Sequence, residues 1–182
     1  DTLIAGHDGY VKTHGLTHVR TLKLGFDGRT LKGEDTLAAL SDAGEAQFNH
    51  VFDHSRMQGV PFSIRFHLHP DVQAELNMGG KAVALTLRSG EVWVFRAEGR
   101  AALSLEPSVY LEKGRLAPRG TRQIVLKDRA IDFATRIDWT LAKPQDTPGG
   151  IRDLAMDEVV SDARSRIDRK STRLNSSHLV IS

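Results

Sequence analysis

Arg65, His67 and His69 recur at every second residue within the stretch 61–70, Pro-Phe-Ser-Ile-Arg-Phe-His-Leu-His-Pro. In an extended chain, residues two apart project from one face, so this spacing sets a guanidinium and two imidazoles side by side. Three kinds of chemistry suit such a row. A guanidinium holds a carboxylate through paired hydrogen bonds. An imidazole exchanges protons near neutral pH. Two imidazoles on one strand face can also hold a zinc ion, with His18 and Asp35 completing the ligand set. The plainer account of His67 and His69 is a solvated or interdomain surface. A second polar cluster, Gly6-His7-Asp8-Gly9-Tyr10, offers His7 and Tyr10 to a ligand. By composition it reads first as a loop or turn, with Asp8 bonding its own backbone and Gly9 at positive φ.

The elements that must position these groups are strands. Phe62, Ile64, Phe66 and Leu68 alternate with the polar row, so the period-two pattern predicts a core strand over 60–69. Further core strands are predicted over 81–88, 91–96 and 130–141. Strand-like runs also cover 16–24, 30–35, 101–105, 109–112 and 121–126. Asp27-Gly28 reads as a hairpin turn between two of them, and Met78-Gly79-Gly80 and Ser89-Gly90 as further turns. His18 and Asp35 fall on opposite arms of the first hairpin, where a cross-strand polar pair on a solvated face is the ordinary expectation. Residues 38–50 read as a loop or one short helix, 51–58 as unassigned, and 71–77 as a connection. Many short strands with close turn signals, and no convincing amphipathic helix before 150, predict an all-β antiparallel sandwich.

Composition narrows the function classes. The 182 residues suffice for one domain with a sizeable core. Twenty-five basic against 23 acidic side chains leave a net charge of +2. With no basic stripe interleaved with aromatics, nucleic acid is not an expected partner. There is no cysteine, which excludes disulfides, thiolate metal sites and a cysteine nucleophile. No apolar run is long enough for a transmembrane helix, so no membrane partner is expected. Asp1 onward carries no signal-peptide pattern and reads as the interior of a longer chain. Residues 155–168 read as a linker or short helix. Residues 169–182 read as a non-native tail that adds nothing to the fold.

Gly6-His7-Asp8-Gly9-Tyr10, Gly15-Leu16-Thr17-His18-Val19-Arg20, Gly33-Glu34-Asp35, Gly59-Val60-Pro61-Phe62 and the run from Arg65 to Val72 occur in this order. Glu106-Pro107-Ser108-Val109-Tyr110-Leu111 and Gln123-Ile124-Val125-Leu126 continue the series. Together they resemble bacterial heparinase II/III-family proteins, in register from about residue 5 to 154, so that 1–154 corresponds to the C-terminal β-sandwich. The resemblance implies a polysaccharide lyase in which an α/α toroid precedes that sandwich. The implied reaction is β-elimination: a base, typically Tyr or His, removes the C5 proton of a uronic acid, and a proton returns to the departing C4 oxygen.

In such proteins those groups, and a structural metal site, lie mostly in the toroid and the first strands of the sandwich. Both would lie upstream of Asp1, so the resemblance assigns no catalytic residue and no metal ligand here. His7, Tyr10, Arg65, His67 and His69 are the residues expected nearest the substrate. The implied partners are an acidic polysaccharide and the toroid of the same protein, the implied location is the periplasm or cell envelope, and no cofactor is expected. By itself the chain is expected to be inactive. Two alternatives stay open. One is a non-catalytic carbohydrate-binding or interaction sandwich, although aromatics are only 6% and Trp93 and Trp139 sit in runs that look buried. The other is a zinc domain built on His18, Asp35, His67 and His69.

Overall fold

In the computed structural model, which describes residues 1–114 and 117–144, two antiparallel sheets pack face to face. The expected linker 155–168 and the tail 169–182 lie outside the described residues. The strands are β1 (Thr2–Tyr10), β2 (Leu16–Leu24), β3 (Thr30–Ala38), β4 (Val60–His67), β5 (Gln73–Asn77), β6 (Ala82–Thr86), β7 (Val92–Ala97), β8 (Ala102–Tyr110), β9 (Arg119–Ala130) and β10 (Ala134–Ala142). One sheet has seven strands in the order β1-β2-β3-β10-β7-β6-β5, and the other has three, β4-β9-β8. A four-residue helix α1 (Val11–His14) and a longer α2 (Asp42–His54) complete the described elements.

The expected all-β sandwich is thus what the chain forms. Its core lies between the sheets. Ile64, Val83, Ile124 and Leu126 are almost wholly buried, and Phe62, Phe95, Ile137 and Trp139 are nearly so. Phe66 points into the same layer, where its ring lies 5.0 Å from Phe95 and 4.8 Å from Trp139, yet it stays half-buried. The Asp27-Gly28 turn is present with Gly28 at φ 65°. It sets the β2–β3 register that pairs Arg20 with Asp35.

Five expectations need correction. Residues 6–10 are strand, not turn. Gly6 and His7 pair with Val19 and His18, and a bulge precedes Tyr10. Their glycines lower strand propensity, but a partner strand lying alongside overrides that preference. Over 38–50 the helix rather than the loop forms, and it runs further than expected, from 42 to 54. Ser41 caps it by accepting from the Gly44 N–H, and Gly44, Phe48, Val51 and Phe52 recur at helical spacing on its inner side. Residues 73–77 are an edge strand rather than a connection. The runs expected over 101–105 and 109–112 are one strand, β8: among the described residues it is the edge of its sheet, so Pro107 costs it no ladder donor that a second neighbour would need. Finally, the alternation predicted over 130–141 begins only at Ala134. Ala130 ends β9, and Ile131 is exposed.

Candidate functional site

The structure divides the expected site residues between two places. His7 and Tyr10 lie on β1, while Arg65, His67 and His69 lie on or just beyond β4. Among the described residues β1 pairs only with β2, and every residue of it except Tyr10 is exposed. The three-stranded sheet therefore leaves this end of the larger sheet open. His7 and His18 are cross-strand partners and share a face, with ring centroids 5.2 Å apart. The Tyr10 ring lies 5.1 Å from His7 on its other side. The patch is thus a row of three rings, with exposed His7 between half-buried Tyr10 and buried His18.

His7 has a defined role in that row. The Gly9 N–H donates to His7 Nδ1 at 3.2 Å. In the neutral ring the proton then sits on Nε2, so His7 offers a donor rather than a base. Partial burial, followed by the neighbouring His18, lowers its pKa, against a smaller opposing effect of Asp8. Both lowering causes favour the neutral ring.

Beneath the row lies Asp35, 3% exposed, with His18 4% exposed beside it. His18 Nε2 and Arg20 Nε each bond Oδ1 of Asp35 at 2.7 Å. Arg20 Nη2 and Trp139 Nε1 each donate to Oδ2 at 2.8 Å. The Arg20 guanidinium also lies over the Phe66 ring at 4.9 Å and the Trp139 ring at 5.6 Å. Burial pushes the Asp35 pKa up, but the bonds from His18, Arg20 and Trp139 together with the Arg20 charge outweigh it, and the net shift is down. Gly33 makes this arrangement possible. A Cβ there would stand 2.1 Å from the Trp139 indole, so only glycine lets the ring lie flat over β3.

The expected His18–Asp35 pair therefore exists, but it is buried rather than on a solvated face. The zinc set of His18, Asp35, His67 and His69 is not assembled. His67 Nδ1 bonds Ser108 Oγ at 2.8 Å, and His69 Nδ1 accepts from the Asp71 N–H at 3.2 Å. All four bonds to Asp35 come from protein side chains, and Arg20 supplies the positive charge a metal would bring. Among the described residues no three His, Asp or Glu side chains are grouped to hold an ion. Sequence reasoning missed Arg20 and Trp139. The signal for Arg20 was available, since it lies two residues after His18 on the same strand face.

Arg65 and His67 lie on the outer face of the three-stranded sheet. There Glu106 is the hub. Lys127 Nζ approaches it at 2.7 Å, Ser104 Oγ donates at 3.1 Å and Arg65 Nη1 at 3.2 Å. The Lys127 bond is the largest cause of a lowered Glu106 pKa. Arg65, expected to meet a substrate carboxylate, already meets this one. His69 sits past the end of β4 against Tyr110, 4.9 Å between rings, and near Asp71 at 3.7 Å. Arg119 and Arg88 converge on the same Asp71 at 2.8 and 3.5 Å. These ion pairs are largely solvated.

Comparison with known proteins fits this architecture. The chain is 33% identical over 141 residues to FtsZ-localized protein C of Caulobacter vibrioides, covering 76% of this chain and 23% of that one. Among solved structures it resembles the heparan sulfate lyase HepC of Pedobacter heparinus, with a TM-score of 0.58 at 12% identity. That match takes in 81% of this chain and 21% of the lyase. A mutant of the same lyase matches equally, at 11% identity. At such identities the likeness speaks to the fold. The chain thus spans about a fifth to a quarter of the proteins it resembles. The model of the heparinase II/III-like C-terminal domain matches residues 1–140, nearly all of the sandwich described above, and this chain belongs to that family.

Proposed function

We propose that this domain forms one wall of an acidic-polysaccharide cleft in a heparinase II/III-like lyase. The reaction is β-elimination at a uronic acid, and the base and acid come from a helical toroid of the same protein. The observation that carries this reading is the open end of the seven-stranded sheet. There exposed His7, with half-buried Tyr10 beside it, lies above a buried Asp35 bonded to His18, Arg20 and Trp139. A neutral His7 donating through Nε2 suits a sugar hydroxyl or carboxylate. The rigid layer below fixes the ring without taking part in proton transfer. Acidic polysaccharide at the periplasm or cell envelope is the setting this reading requires.

The test has two parts. The chain alone, assayed with heparan sulfate, alginate and other glycuronans, should release no unsaturated uronate. Half a cleft lacks the fixed geometry worth about 7–11 kcal/mol of the barrier. In the toroid-bearing protein, His7→Ala and Tyr10→Ala should raise KM more than they lower kcat. Turnover by the chain alone that disappears in His69→Ala would overturn the proposal and place the chemistry beside β4.

A second reading takes its support from the relative's name. A domain 33% identical to part of an FtsZ-localized protein could serve as an interaction module at the division site. Co-sedimentation of this chain with FtsZ filaments, absent any binding to glycuronans, would favour it.

A further inference from the structure

α2 carries a pair of histidines that neither reading uses. His50 and His54 stand one helical turn apart, and both are exposed. Residues at i and i+4 lie one above the other on a helix face. Their ring centroids are 4.3 Å apart, closer than the 5.2 Å between His7 and His18. The tautomer of one ring is set by the backbone. His54 Nδ1 lies 2.7 Å from the His50 carbonyl oxygen, which can only accept, so Nδ1 carries the proton. In the neutral ring Nε2 of His54 is then the nitrogen that carries the lone pair. Donation from the second ring nitrogen to a backbone carbonyl is the usual way a metal-binding imidazole is oriented. Two histidines at i and i+4 on one helix face are also a recurring zinc-binding pair.

We propose that His50 and His54 form a two-imidazole clamp for a borderline divalent transition metal on the exposed face of α2. Water, or side chains of another molecule, would fill the remaining coordination positions. Neutral nitrogen donors select copper(II), nickel(II) and zinc(II) over calcium and magnesium, which prefer oxygen. Copper(II) should bind tightest, because it stands at the top of the divalent affinity order. The clamp lies apart from the candidate zinc set, sharing no residue with His18, Asp35, His67 or His69.

Isothermal titration of the chain with copper(II), nickel(II) and zinc(II) salts tests this directly. One saturable site is expected, with copper strongest. Its copper electron paramagnetic resonance spectrum should show nitrogen hyperfine coupling. His50→Ala and His54→Ala should each weaken binding by at least about tenfold, the scale on which orienting partners already act. Alanine is the best helix former, so both variants should keep α2 folded, which circular dichroism would verify. The His67→Ala/His69→Ala double variant should bind as the parent does. Absence of a saturable site, unchanged affinity in His54→Ala, or loss confined to the His67/His69 variant would each overturn the proposal.

Discussion

Two polar clusters in this domain each gather an arginine and other donors around one carboxylate, to opposite effect. Around Asp35 on β3, a carboxylate, a guanidinium, an imidazole and an indole are bonded together between the sheets, with Asp35 and His18 nearly inaccessible. Around Glu106 on β8, a carboxylate meets Lys127, Arg65 and Ser104 on an outer face reached by water. The distances are alike, at 2.7–3.2 Å. What differs is the medium. In water a broken ion pair is replaced by hydration, whereas inside the sandwich its partners are left stranded. Geometry alone therefore does not rank the two; burial does. The buried cluster is a structural support, and the outer one is a solvated surface.

The largest expected effect lies at the buried hub. Asp35→Ala should cost about 3–5 kcal/mol in urea unfolding, because His18 and Trp139 lose a partner away from solvent and the partly buried Arg20 loses its counter-ion. A loss below about 1 kcal/mol would erase the distinction between the clusters. The same carboxylate gives a pH signature. Its folded pKa is below the unfolded value, so its contribution is fully present above the unfolded carboxylate pKa of about 4. That contribution drains away as the pH falls through the lower folded pKa. The gap in stability between wild type and Asp35→Asn should accordingly narrow in acid. A gap that widened would reverse the sign of the shift.

Next in size is Gly33→Ala. Its Cβ would overlap the Trp139 ring, and overpacking of this kind costs about 1–3 kcal/mol. Trp139 fluorescence should shift as the indole leaves Asp35. An unchanged spectrum and melting temperature would show that the ring is not pinned by close approach. Phe66→Ala should fall in a similar range, below the roughly 3–5 kcal/mol of a fully buried phenylalanine, since this ring is only half-buried.

The smallest effect belongs to the outer face. Glu106→Gln should change stability by less than about 1 kcal/mol, and less still at high salt. A cost comparable to that of Asp35→Ala would mean that the outer face is covered in the folded protein and would join the two clusters into one class.

Much of the sandwich was legible because strand periodicity is a local property. Phe62 and Ile64, like Ile137 and Trp139, recur at period two and are buried together. The Asp27-Gly28 hairpin was also readable, and through it the pairing of β2 with β3. The failures share one cause. At 6–10 the glycines point to a turn, but pairing with β2 decides for a strand. Over 38–50 the sequence left loop and helix open, because the few apolar positions of the helix matter only once Phe48 finds Phe133. At Pro107 the sequence cannot tell an edge strand from a central one.

The sequence by itself determined that the domain is an antiparallel sandwich, that it carries the motifs of the heparinase II/III family, and that His7, Tyr10, Arg65, His67 and His69 are its noteworthy polar groups. Only the tertiary structure decided which of them meet. Cross-strand register joins His7 to His18, and it brings Arg20 onto Asp35 from fifteen residues away. Packing of β10 beside β3 then delivers Trp139 to the same carboxylate across 104 residues. The second sheet carries Arg65 and His67 away to its outer face, where Glu106 and Ser108 take them. Alternation along a strand fixes which face a side chain takes, but not what lies opposite that face. That is set by the order of strands in each sheet, through contacts far apart in the chain.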